Sequence, residues 1–196
     1  MSKDNVIAVD DGYFPIEYKA RNGYTTLVSV KYKVIEKSVT GVSWKYVLVD
    51  GLDATIKTIE MVKLLSDENT LAILLDGITY AGFNIVDPYK VYEETKIPCI
   101  VFYRYSLNPH RIRKALETHF SDFQYRYSVI EKCLNNKYKM TTPWRIVEYT
   151  PVGISPEKAS QILRKLQLYS PEPEPLKIAD QISSRISRIL LDLNTL

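Results

Sequence analysis

The chain has 196 residues, 45% hydrophobic and 25% charged, with a formal net charge of +3. That composition supports a buried core, excludes a long disordered polyelectrolyte, and tolerates a polyanionic ligand without demanding one. Two cysteines, Cys99 and Cys133, exclude a disulfide framework and a zinc knuckle, and two histidines, His110 and His119, nearly exclude a histidine-rich zinc site.

No signal-peptide apolar region precedes Val6, and no apolar stretch is long enough to cross a bilayer, so a cytoplasmic protein without membrane contact is expected. Residues 1–5 lead into a first strand over 6–9, stopped by Asp10-Asp11-Gly12. Strand patterns follow over 24–36, with alternating Thr26, Val28, Val30, Tyr32 and Val34, and over 41–49, ending in Asp50-Gly51. No helical pattern separates these three, so an antiparallel meander is expected. A helix is predicted over 53–65, a strand buried on both faces over 71–75, ending in Asp76-Gly77, and a short helix from Asp87-Pro88. A second buried strand covers 97–103, and Asn108-Pro109 opens a helix that a further one over 123–134 follows. A strand near 145–149, a helix from Pro156, and a non-helical connector over 170–175 lead to a last amphipathic helix. Its face of Ile178, Ile182, Ile186, Ile189, Leu190 and Leu193 is expected to pack on the body, a dimer contact being the alternative, so the chain is expected to be a monomer or weak dimer.

Three meander strands and then strand–helix alternation is the element order of the ribonuclease H-like fold, an α/β architecture. The expectation is a single domain: a mixed five-stranded sheet of order 3-2-1-4-5 flanked by helices over about 5–135, with a C-terminal strand/helix extension over about 136–196.

In that topology strands one, three and four run parallel, so Asp10, Asp50 and Asp76 end on one edge of the sheet. Open α/β sheets place their sites at this edge. Asp10 and Asp76 fall on neighbouring strands and can share one ion. The third strand is two places away, so the third carboxylate is Asp50 or Asp53, with Asp11 a further candidate. Clustered carboxylates repel, and a protein tolerates them mainly where a cation neutralises them. Oxygen ligands select Mg²⁺ or Mn²⁺, ions suited to phosphodiester hydrolysis. Arg104, one strand further along, is a candidate to contact the scissile phosphate, an ordinary surface Arg being the alternative. Fifteen Tyr against five Phe fits a nucleic-acid ligand, whose bases stack on rings and whose phosphates accept hydroxyls. Tyr13, beside the first Asp cluster, and Tyr80, in the stretch after Asp76, are the contacts expected near this edge. The competing readings are a non-catalytic nucleic-acid-binding or scaffold protein on the same fold, and an RNA-directed endonuclease.

Residues 7–12, Val49-Asp50-Gly51-Leu52-Asp53-Ala54-Thr55, Leu74-Leu75-Asp76-Gly77-Ile78-Thr79-Tyr80-Ala81-Gly82-Phe83-Asn84 and Pro173-Glu174-Pro175-Leu176 together resemble the archaeal endonuclease dU family, which is similar to endonuclease V. The resemblance covers nearly the whole chain. It implies a ribonuclease H-like fold and metal-dependent cleavage of DNA near a deaminated base such as deoxyuridine, a repair activity. It implies roles for Asp10, for Asp50 in place of a Glu one methylene longer, for Asp76, and for Arg104 in place of a Lys. The base-separating wedge of endonuclease V has its counterpart in Ser43-Trp44-Lys45-Tyr46, making Trp44 and Tyr46 further nucleic-acid contacts.

Overall fold

β-branched and aliphatic runs form the first three strands of the computed structural model, β1 (Asn5–Asp11), β2 (Tyr24–Lys33) and β3 (Ser38–Leu48), as an antiparallel meander. The structure describes residues 4–193 and 195, so residues 1–3, expected to lead into β1, lie outside it. A four-residue helix, α1 (Tyr18–Arg21), interrupts the β1–β2 connection. Then come α2 (Ala54–Leu65) and β4 (Thr70–Asp76), and a small hairpin of β5 (Thr79–Tyr80) and β6 (Asn84–Ile85). They are followed by α3 (Pro88–Thr95), β7 (Cys99–Tyr103), α4 (Pro109–His119) and α5 (Phe123–Asn135). The chain continues through β8 (Tyr138–Thr141), β9 (Ile146–Val152), α6 (Pro156–Leu166) and α7 (Glu174–Asp192).

Caps fix several helix starts. The side chains of Asp87, Asn108 and Ser155 accept N–H bonds from the first turns of α3, α4 and α6, each with a Pro at the first positions. The connector over 170–175 gives up its last two residues to α7, where Pro175 sits in the first turn and needs no N–H partner.

The main sheet has seven strands, not five, in the order β3-β2-β1-β4-β7-β9-β8. The strand read near 145–149 is β9, which joins the main sheet antiparallel to β7. All five residues of β7 are buried, so an unpaired edge there would strand backbone groups away from water. β8 then covers β9; it is only four residues long, with one buried position, too little pattern to read as a strand.

Side-chain alternation sorts the sheet into two faces. Ile7, Val9, Ile73, Leu75, Cys99 and Val101 pack with α2, α3, α4 and α5. Val6, Ala8, Ala72, Leu74, Ile100 and Phe102 pack with α6 and α7. The same parity governs the polar residues at the strand ends.

α7 packs on the body as expected, with Ile178, Ile182 and Ile186 of the predicted face against the core, but its most buried line is a row of smaller residues beside them. Its buried residues include Leu176, Ala179, Ser183 and Ser187, while Ile178, Ile182 and Ile186 are half-buried and Ile189 is 57% exposed. The reason is close approach. A Cβ at Gly12 would collide with Thr26 Oγ1, Ser183 O and Ser187 Oγ, so helix and sheet meet there on small residues. Polar bonds replace apolar contact along this seam. Ser183 Oγ donates to Asp11 O (2.7 Å), Thr26 Oγ1 donates to Ser183 O (3.0 Å), and Tyr13 N donates to Ser187 Oγ (2.9 Å).

Candidate active site

β1, β4 and β7 are parallel neighbours, with Ala8 beside Leu74, Val9 beside Leu75 and Asp76 beside Phe102. Asp10 and Asp76 therefore end adjacent strands on the same face, that of α7, and Arg104 follows Phe102 at the same parity. Arg104 turns back over the two carboxylates. Its Nε lies 2.5 Å from Asp76 Oδ2 and its Nη2 3.1 Å from Asp10 Oδ2. Its Nη1 faces Asp180 of α7 (3.4 Å) and Glu172 of the connector (3.6 Å). Asp11 has the opposite parity, and its Oδ2 accepts the N–H of Ala81 at 2.7 Å.

A cleft of about 420 Å³ opens here, lined by Asp10, Asp11, Asp76, Gly77, Arg104 and Tyr105, with Phe83, Leu107, Ile112 and Ile130 as apolar wall. Four acidic groups thus surround one guanidinium, with Asp11 beside them on the opposite face. Burial, then Asp76 and Asp11, push the Asp10 carboxyl well above its ordinary pKa, with Arg104 offsetting only part. Burial likewise raises Asp76, against the charge and hydrogen bonds of Arg104. Burial pushes Asp11 up to about 7, although the Ala81 N–H holds it down. The two carboxyls of Asp10 and Asp76 lie close enough for each to influence the other's proton affinity. Burial disfavours the charge on Arg104, yet Asp76, Asp10, Glu172 and Asp180 together raise its pKa.

The donor set fits a divalent ion of the Mg²⁺ or Mn²⁺ kind: oxygen ligands alone, crowded and under-neutralised. Among the described residues, however, no three acidic or His side chains are arranged to grip an ion together. Arg104 fills the space between them, so an ion and Arg104 are alternative neutralisers of the pair.

Two expected ligands do not join the cluster. Asp50 lies beyond the end of β3 with φ +57°, where strand parity no longer aims its side chain. Its Oδ1 accepts the N–H of Phe83 (2.7 Å) and its Oδ2 lies 3.8 Å from Lys19 Nζ. Asp53 accepts from Leu48 N (3.2 Å) and Asn84 Nδ2 (2.7 Å), which ties β3 to the β5–β6 hairpin. Tyr80 is no nucleic-acid contact. It is 0% exposed, its hydroxyl faces Val9 O, and burial, then the nearby carboxylates, hold its pKa far above normal. Tyr13 is 45% exposed with the Arg188 guanidinium 4.5 Å from its ring centroid. Trp44 and Tyr46 stand exposed on β3, edge to face at 5.3 Å.

Asp180 and Glu172 were not read from the sequence. No local signal marks them, because only the docking of α7 across β1 and β2 brings them to Arg104. Buried Arg126 was also missed. From α5 it donates to Gly51 O (2.9 Å) and Phe83 O (2.6 Å), pairs with Asp122, and stacks 4.3 Å from the Phe120 centroid. It holds together the loops that wall the cleft. Arg126→Met, similar in volume, strands both carbonyls and is expected to cost about 3 kcal/mol in chemical denaturation; a loss under about 1 kcal/mol would remove this role.

Residues 3–187 match the endonuclease dU family. A UPF0215 protein of Thermococcus sibiricus is 38% identical over 181 residues, covering 92% of this chain and 91% of its own. A crystal structure of a protein of unknown function from Archaeoglobus fulgidus superposes with a TM-score of 0.79 at 26% identity, covering 94% of this chain and 98% of that one. Endonuclease V of Ciona intestinalis, solved with a 24mer DNA containing an inosine followed by a ribo-adenosine, superposes with a TM-score of 0.64 at 12% identity over 95% of this chain and 87% of that one, a likeness of fold.

Proposed function

The chain belongs to the endonuclease dU family, and from that premise we propose that it is a metal-dependent endonuclease that hydrolyses a phosphodiester bond in DNA carrying a deaminated base such as deoxyuridine. The reading includes a ribonuclease H-like fold over the whole chain. The observation that carries it is the convergence of Asp10, Asp76 and Arg104 from three adjacent strand ends in one cleft. Asp10 and Asp76 would hold a Mg²⁺ or Mn²⁺ ion, with Asp11 and Asp180 beside them as further oxygen donors. Such an ion, when bound, supplies an acidified water and neutralises charge at phosphorus.

The chain's own groups do the rest. Arg104 stays cationic at working pH and, freed from the carboxylates, is the donor nearest a phosphate in the cleft. The buried carboxylates are raised in pKa, so a proton and a cation compete for them. Phe83, Leu107, Ile112 and Ile130 exclude water from one side. Tyr13, Trp44 and Tyr46 offer exposed rings to the nucleic acid.

A second reading, a non-catalytic nucleic-acid-binding protein, draws on one observation: Arg104 occupies the position between the paired carboxylates, and no three acids among the described residues are arranged to hold an ion. Calorimetric titration with Mn²⁺, combined with nicking assays on uracil, hypoxanthine and abasic sites in DNA and RNA, separates the readings. The nuclease reading expects Mn²⁺ heat and nicking of uracil-containing DNA. Absence of both supports the binding protein; nicking confined to RNA moves the substrate.

A further inference from the structure

A second cavity, of about 530 Å³, lies across the segment 81–83 from the acidic cleft, and its lining includes Lys19, Asn22, Asp50, Phe83, His119 and Phe120. Phe83 is a wall of both cavities. The segment is tied on each side: Ala81 N donates to Asp11 in the cleft, while Asp50 N donates to Ala81 O (2.8 Å) and Phe83 N donates to Asp50 Oδ1 (2.7 Å). The fold goes to some length to hold Asp50 here. Its φ of +57° is uncommon for a residue other than Gly, and a Cβ at Gly82 would collide with its carboxylate. Neither Asp50 nor Lys19 is in contact with the acidic cluster; each has the other as its ion-pair partner, at 3.8 Å.

We propose that this cavity takes up a nucleobase drawn out of the stack, and that Asp50 and Lys19 select the imide edge that deamination creates. The inference rests on the nuclease reading for its substrate class. A carboxylate only accepts hydrogen bonds and an ammonium only donates. An imide edge, ring N–H beside C=O, answers both: N–H toward Asp50, oxygen toward Lys19. Cytosine presents the reverse order, a ring nitrogen lone pair beside an amino group. It sets lone pair against carboxylate and N–H against ammonium, so the pair rejects it as well as failing to bind it. The rings of Phe83 and Phe120, edge to face at 5.6 Å, provide the apolar surface against which such a base is read.

The test is fluorescence anisotropy of the full chain, in EDTA, with duplexes carrying one U·G or one C·A mismatch, so that unpairing is comparably easy in both. The wild type is expected to bind U·G roughly ten- to hundredfold more tightly. Asp50→Asn keeps a residue that tolerates positive φ but presents donor and acceptor alike. It and Lys19→Met are each expected to reduce the preference to about threefold or less. A wild type without preference, or variants that both keep it, overturns the proposal. Nicking in Mn²⁺ tests the catalytic reading separately. A protein that prefers U·G but cuts neither duplex keeps this pocket and loses that reading. One that cuts uracil-containing DNA without binding preference does the opposite.

Discussion

Replacing Asp76 with Asn is expected to slow nicking of a uracil-containing duplex by roughly a thousandfold or more while leaving DNA affinity intact. Asn keeps the size of Asp76, so the packing of β4 between β1 and β7 survives. What changes is charge. Asp76 lies beside Asp10, has its carboxylate 2.5 Å from Arg104 Nε and sits at the centre of the strand-end row. Its amide can neither hold a divalent ion as a carboxylate does nor anchor the guanidinium in the same way. Single-turnover cleavage of a labelled oligonucleotide, read beside a binding isotherm, is the measurement. Cleavage within tenfold of the wild type would remove Asp76 from the chemistry.

The second large effect concerns pH. Asp11 has a folded pKa of about 7 against an ordinary 3.8, and Asp10 and Asp76 are also raised. In the folded chain these groups keep protons that the unfolded chain releases above about pH 4. Their contribution therefore favours folding at the acid end and is lost as pH rises toward 7. For Asp11 alone the swing is on the order of 4 kcal/mol. Asp67 and Glu148, whose pKa values are lowered, act in the opposite sense, but below the ordinary carboxylate range and so outside this window. The melting temperature of metal-free protein is expected to fall by on the order of 10 °C between about pH 5 and pH 8. Mn²⁺ should restore it at the alkaline end and do little at the acid end, where protons occupy the same oxygens. A flat profile, or stabilisation by Mn²⁺ that is equal at both ends, would contradict the cluster described.

Much of this site was legible because strand parity is strict. Asp10, Asp76 and Arg104 each lie two residues past a residue of the α7 face, namely Ala8, Leu74 and Phe102, so a period of two aims all three at one place. Asp50 was misread because that rule stops where the strand stops: β3 ends at Leu48, and a left-handed residue two positions on points wherever its turn dictates. Tyr80 was misread because a Tyr in a polar stretch looks like a surface residue. Here its ring fills a core position under β1. The seventh strand was invisible because four residues carry almost no periodicity; α7 was legible as a helix, but its seam of Ala and Ser has no hydrophobic signature. Asp180 and Glu172 could not be read at all, since their role exists only once that helix has docked.

That helix sets a schedule for the molecule. The bonds joining Asp11, Tyr13 and Thr26 to Ser183 and Ser187 close loops spanning 157 to 174 residues. Loops of that length form slowly and late, after the local meander and the parallel strands have assembled. The four-acid embrace of Arg104 is therefore among the last things the folding chain completes. A partly folded chain holds Asp10 and Asp76 without the 172 and 180 carboxylates that draw the guanidinium outward. Refolding monitored by hydrogen exchange should find the strand amides protected before those of α7, so the seam, and not the sheet, times the appearance of a working site.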